Sequence, residues 1–74
     1  MLLSKALINK IYKISHIEGS PIIKRRLLEM GLTSNSEIEI LRISPFKDPI
    51  IVKIRGYNLS LRLFEASYIV LKNI

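Results

Sequence analysis

The sequence predicts an all-β fold, about five short strands closing on one another with one short α-helix inserted after the first. Three observations carry this. Two runs of alternating apolar and polar residues flank Gly56, the pattern of a half-buried hairpin. Between Gly19 and Gly31 the spacing changes to that of a capped helix. At Leu41 the strand parity slips by one residue, which is what a β-bulge does and what a closing sheet needs.

Taken in order, the first strand is predicted over Ile11–Ile17. Tyr12 and Ile14 share one face there, Ile11 and Ile17 the other, and a kink near His16 would turn Ile17 inward as well. Gly19 breaks the strand. Ser20 is a fitting N-cap and Pro21 suits the first helical position, where its missing N–H costs nothing. Ile23, Leu27 and Met30 fall at i, i+4 and i+7 and form one apolar stripe, with Lys24, Arg25 and Arg26 starting on the other side. Gly31 can end the helix in the left-handed conformation, and Leu32 can fold back on its last turn. Thr33–Ser36 is a tight turn, with Asn35 at positive φ.

Ile38 and Ile40 then alternate with Glu37 and Glu39 before the slip at Leu41. Ser44–Pro49 is a hairpin loop punctuated by two prolines. Ile50, Val52 and Ile54 point one way; Ile51, Lys53 and Arg55 point the other. After the reversal at Gly56, Tyr57, Leu59 and Leu61 point inward against Asn58, Ser60 and Arg62. Leu63–Ser67 fits one helical turn, and Tyr68–Lys72 a closing strand with Ile69 and Leu71 on one side. Such an open sheet would leave edges, and closure removes them, so a small barrel of the SH3 kind is expected.

The 74 residues are expected to form a single domain, 1–74. A chain this short hides roughly 60% of its unfolded surface, enough for one core. The apolar fraction of 49% suffices for that core. There is no Cys, so disulfides, thiolate metal ligands and thiol nucleophiles are excluded. The opening apolar stretch holds Lys5 and no small-residue cleavage site follows, unlike a secretory signal. The longest charge-free run, Met30–Ser36, is far too short to span a bilayer, so no direct membrane insertion is expected.

Catalysis finds little support. His16 is the lone histidine, so no metal site within one subunit and no cofactor are expected, although a site shared with another subunit or a partner stays open. Glu37 and Glu39 share a strand face but lack a third oxygen ligand, which favours a solvated face. No Gly-x-Ser-x-Gly turn and no Gly-rich phosphate loop occurs. The formal charge of +6, from 12 Lys+Arg against 6 Asp+Glu, favours an acidic partner. Lys53, Arg55 and Arg62 lie on non-core faces and would form one cationic patch if their strands pair. Ile51 on that face and Phe46 at the hairpin tip add exposed apolar groups of the sort a docking surface uses. Tyr12 and Tyr57 are expected in the core, which leaves few aromatics to stack on bases and weakens the alternative, a basic nucleic-acid-binding barrel.

The segments Arg26–Leu32, Arg42–Ile50 and Arg55–Arg62, followed by Glu65-Ala66, together resemble the FeoA family along essentially the whole chain. The sequence departs from that family's pattern at Ile8-Asn9 and Ser34-Asn35, where Pro-Gly is common, and at Lys47, where Gly is common. Asn tolerates positive φ next best, so both turns should survive. The resemblance implies an SH3-like cytoplasmic protein that is not an enzyme, accompanying the ferrous-iron permease FeoB, a membrane protein with a cytoplasmic GTPase domain. The implied role is an adaptor in iron uptake, with Phe46, Ile51, Lys53, Arg55 and Arg62 as candidate contact residues and homo-oligomerisation through exposed strand edges as a compatible property.

Overall fold

The computed structural model describes residues 1–72. A 3₁₀ turn at Leu3–Lys5 precedes β1 (Ile11–Ile17), α1 (Pro21–Glu29), β2 (Glu37–Ile43), β3 (Ile50–Ile54), β4 (Tyr57–Leu61), α2 (Leu63–Ala66) and β5 (Ile69–Leu71). The strands form one antiparallel sheet in the order β4-β3-β2-β1-β5.

Alternation places the core. Ile38, Ile40, Val52, Ile54 and Leu61 are buried, together with Tyr12 and Ile14 of β1 and Ile69 and Leu71 of β5. Lys53 and Ser60 are exposed, so the predicted inward face of the hairpin is the observed one; Leu59 is half-buried. Both expected kinks are register shifts. One lies between Ile40 and Arg42 against β3, the other between Ile14 and His16 against β5, and the second brings Ile17 into the core.

The helix is built as its caps dictate. Ser20 Oγ accepts from the Ile23 amide at 3.3 Å, with Pro21 in the first turn. At the far end the Leu32 amide donates to the Leu27 carbonyl (3.2 Å) and the Gly31 amide to Leu28 (3.0 Å), with Gly31 at φ +94°. This double closure tucks Leu32 fully into the core under the helix. Leu27 is fully buried; Ile23 and Met30 pack on the core from its margin.

Tyr57 departs from expectation. Alternation assigns it inward, but it is 43% exposed and its hydroxyl donates to the Met30 carbonyl at 2.7 Å. It sits at the hairpin end, where the core stops, so its ring leans over the C-terminus of α1 instead. A second departure is at the N-terminal segment, to which the sequence assigned no structure. Leu3 is fully buried, Leu2 bridges Val70, and the Leu71 amide donates to the Met1 carbonyl at 2.7 Å. These bonds cover the outer edge of β5.

Candidate docking surface

The outward face of the sheet follows from register. Side chains opposite each other on antiparallel strands share a face. Lys13 thus stands beside Glu37, and Glu39 beside Lys53, which in turn faces Asn58. Nearer the Ser44–Pro49 loop, Arg42, Ile51 and Ser60 form the next outward row. Ile51 is half-buried between those neighbours, not fully exposed.

At the other end of the hairpin this face deepens into a groove of about 630 Å³, lined among others by Ile11, Asn35, Glu37, Glu39, Lys53 and Arg55. Arg55 is the best-anchored cation there. It occupies the first position of the two-residue turn, at φ +50°, with Gly56 at φ +82° beside it. Its guanidinium donates from Nη2 to Ser36 Oγ at 3.0 Å and from Nε to the same atom at 3.3 Å, and also reaches Thr33 Oγ1. The Thr33 and Ser36 hydroxyls are themselves 2.8 Å apart. The 33–36 turn, held by Asn35 at φ +69°, therefore pre-positions one positive charge at the groove wall.

The five residues expected to act together are not all brought together. Ile54 pairs with Tyr57 and Ile50 with Leu61, so Arg55 and Arg62 lie beyond opposite ends of the β3–β4 ladder, separated by more than its length of about 13 Å. Lys53 and Arg55 belong to the groove. Arg62 caps α2 instead, with its Nη1 4.0 Å from Asp48 Oδ1, and Phe46 stands 91% exposed at the apex of the adjoining loop. The single cationic patch predicted from parity is thus two regions. Glu37 and Glu39 also interrupt the basic face, which is mixed in sign.

Glu65 was not singled out as a structural residue, yet among the described residues it is the buried charged group of the core, at 4% exposure. Its Oε1 accepts from the Arg62 amide at 2.9 Å and its Oε2 lies 3.6 Å from Arg26 Nη2. The signal was present: an acid three residues after a helix start reaches back to the N-cap amide. His16 lies on the surface, its Nδ1 2.9 Å from Ser15 Oγ and its Nε2 3.5 Å from Glu18. Among the described residues no group of three or more His, Cys, Asp or Glu side chains is placed to hold a metal ion.

The chain matches the FeoA domain over residues 1–73. This chain belongs to the FeoA family. A Helicobacter pylori relative is 33% identical over 73 residues, covering 97% of this chain and 96% of its own length. A Porphyromonas gingivalis Fe(2+) transport protein A/Fe(2+) transporter FeoB fusion protein is 36% identical over 56 residues. That match covers 76% of this chain but 7% of the fusion protein. Among solved structures, an FeoA-like protein from Clostridium acetobutylicum superposes with a TM-score of 0.90 at 33% identity, covering 97% of this chain and 84% of that one. FeoA from Stenotrophomonas maltophilia, described as an SH3 domain protein and solved with zinc, shares the fold with a TM-score of 0.83 at 24% identity, over 97% of this chain and 89% of that one. The fold is therefore SH3-like, and the FeoA family is linked to ferrous iron transport. No helix among the described residues is long and apolar enough to cross a membrane.

Proposed function

We propose that this FeoA protein is a non-catalytic adaptor of ferrous iron uptake that binds the cytoplasmic part of an FeoB-type permease. The observation that carries this is the Porphyromonas gingivalis relative, in which an FeoA-like stretch and an FeoB transporter share one polypeptide. Fusion keeps two partners at a high effective concentration, which serves proteins whose separate forms must meet. The groove face is the contact we favour. Arg55 is fixed in place before any partner arrives, so little side-chain entropy is lost on docking. Lys53 beside it adds charge, Ile11 at 56% exposure adds apolar area, and Ile51 extends the surface toward the loop. Such a mixed face suits a protein surface of complementary pattern better than a uniformly negative phosphate backbone.

On this reading the chain works on the cytoplasmic side, next to the permease. The test is retention of the purified chain on an immobilised cytoplasmic domain of an FeoB-type permease at low ionic strength. Retention that weakens as salt rises is expected. No retention at low salt contradicts the reading.

A further inference from the structure

The two outer strands of the sheet are finished differently. The edge of β5 is covered by the bonds from Met1 and Leu2. β4, the strand at the other edge, pairs with β3 alone. The two-residue turn at Arg55-Gly56 makes Ile54 and Tyr57 a hydrogen-bonded pair, and the unbroken register repeats this at Val52 with Leu59 and at Ile50 with Leu61. The backbone groups of Tyr57, Leu59 and Leu61 are thereby spent on β3. Those of Asn58 and Ser60 face outward, and no group among the described residues bonds them. The open edge ends at Arg62, whose amide donates to Glu65 Oε1 at 2.9 Å and whose carbonyl accepts from the Glu65 and Ala66 amides at 3.0 and 3.1 Å.

An open edge is ordinarily blunted by a charge, a proline or a bulge. Tyr57-Asn58-Leu59-Ser60-Leu61 contains no charged residue and no proline, and its register against β3 is unbroken. Asn58 and Ser60 are exposed, and Leu59 is half-buried at the margin of the core. The cations on either side are turned elsewhere, Arg55 to Ser36 and Thr33 and Arg62 to Asp48.

We infer that β4 is a self-pairing edge, on which a second copy of this chain lays its own β4 antiparallel about a two-fold axis at Leu59. In that register Asn58 of each copy stands opposite Ser60 of the other, and each such pair exchanges both backbone hydrogen bonds. The two Leu59 residues meet at a non-hydrogen-bonded position, where side chains come closest, and cover the apolar surface that one chain leaves half-open. Two observations select a second copy over another strand. The edge is neutral along its length, so it offers no attraction to an acidic or basic segment, while pairing with itself sets no like charges opposite each other. A β4 already held extended by β3 also loses little backbone freedom on docking, whereas a free peptide must be ordered first. Strands of five residues make a contact smaller than a standard interface, so the dimer belongs to high protein concentration. It needs no permease and uses none of the residues that line the groove.

The test is sedimentation equilibrium of the full chain from about 10 µM to about 1 mM, at low and at raised salt. A monomer–dimer equilibrium is expected. It should tighten as salt rises, because each copy carries +6 and the contact itself holds no ion pair. Docking on the permease should weaken with salt, so the two readings fail separately. Ser60→Lys puts a cation from each copy beside the axis and touches no bond of the fold; with circular dichroism matching the parent, it should weaken the dimer about tenfold or more. Amide exchange at Asn58 and Ser60 should slow as the parent is concentrated. A monomer throughout, a dimer unchanged by Ser60→Lys, or exchange at these amides independent of concentration would each overturn the inference. Protection of the same amides only on adding the cytoplasmic domain of an FeoB-type permease would also overturn it, and would make the edge a permease contact.

Discussion

Gly31 stands where α1 hands the chain to β2, and two constraints act on it at once. Its φ of +94° strains any residue with a Cβ, and an added Cβ would meet the Tyr57 hydroxyl that bonds the Met30 carbonyl. Gly31→Ala is predicted to cost about 1–3 kcal/mol by urea unfolding, with part of that cost relieved in a Gly31→Ala/Tyr57→Phe double variant. Full additivity of the two changes would deny the contact. Glu65 supplies the second residue-scale test. Removing its carboxylate leaves the Arg62 amide without its acceptor, so Glu65→Ala is predicted to cost about 1–3 kcal/mol, clearly more than removal of the solvent-exposed Arg26 side chain. An equal loss for both would place the stabilisation in the ion pair instead. The Arg62-x-x-Glu65 spacing is readable in the sequence as a helix start. That the acid is also buried is not, because burial depends on the arrival of α1 and Arg26 from elsewhere in the chain.

Among elements, α1 is the one whose placement matters most, since it seals the side of the core from which Leu27 and Leu32 point inward. Leu27 is fully buried and Ile22 is 80% exposed, so the helix should answer very differently to changes on its two faces. Leu27→Ala is predicted to lower stability by about 2–5 kcal/mol, and Ile22→Ser by under about 0.5 kcal/mol, in the same denaturation assay. Comparable losses would mean that α1 is docked by the wrong face. The helix was legible in the sequence because caps are local: Ser20, Pro21 and Gly31 act within one turn of where they stand. The bulges were legible because a parity slip leaves an apolar residue out of phase, as Leu41 does. Tyr57 was misread because alternation gives the face a residue points from but not how far the core extends beneath it. The role of Leu2 and Leu3 was invisible because an isolated bridge and a three-residue turn leave no period to detect.

At the scale of the whole molecule, the three cations that parity groups together are divided between two ends of the hairpin, and this division is what separates the candidate contacts. Parity alone put Lys53, Arg55 and Arg62 on one side of a hairpin. Register then put the whole β3–β4 ladder between Arg62 and Arg55, with Arg62 in the cap of α2. The constituent residues of the groove were thus partly foreseen, while the hydroxyls of Thr33 and Ser36 that fix Arg55 were not, because the 33–36 turn and the hairpin turn meet only in the folded chain. The family resemblance supplied the direction of the functional reading, and the geometry supplies which face to test. The most direct measurement is isothermal titration of this chain against the cytoplasmic domain of an FeoB-type permease at low ionic strength, with a Lys53→Glu/Arg55→Glu variant alongside. The account predicts measurable binding by the parent chain, weakened by about tenfold or more in the folded variant; no heat of binding for the parent, or equal affinity for the two, would contradict it.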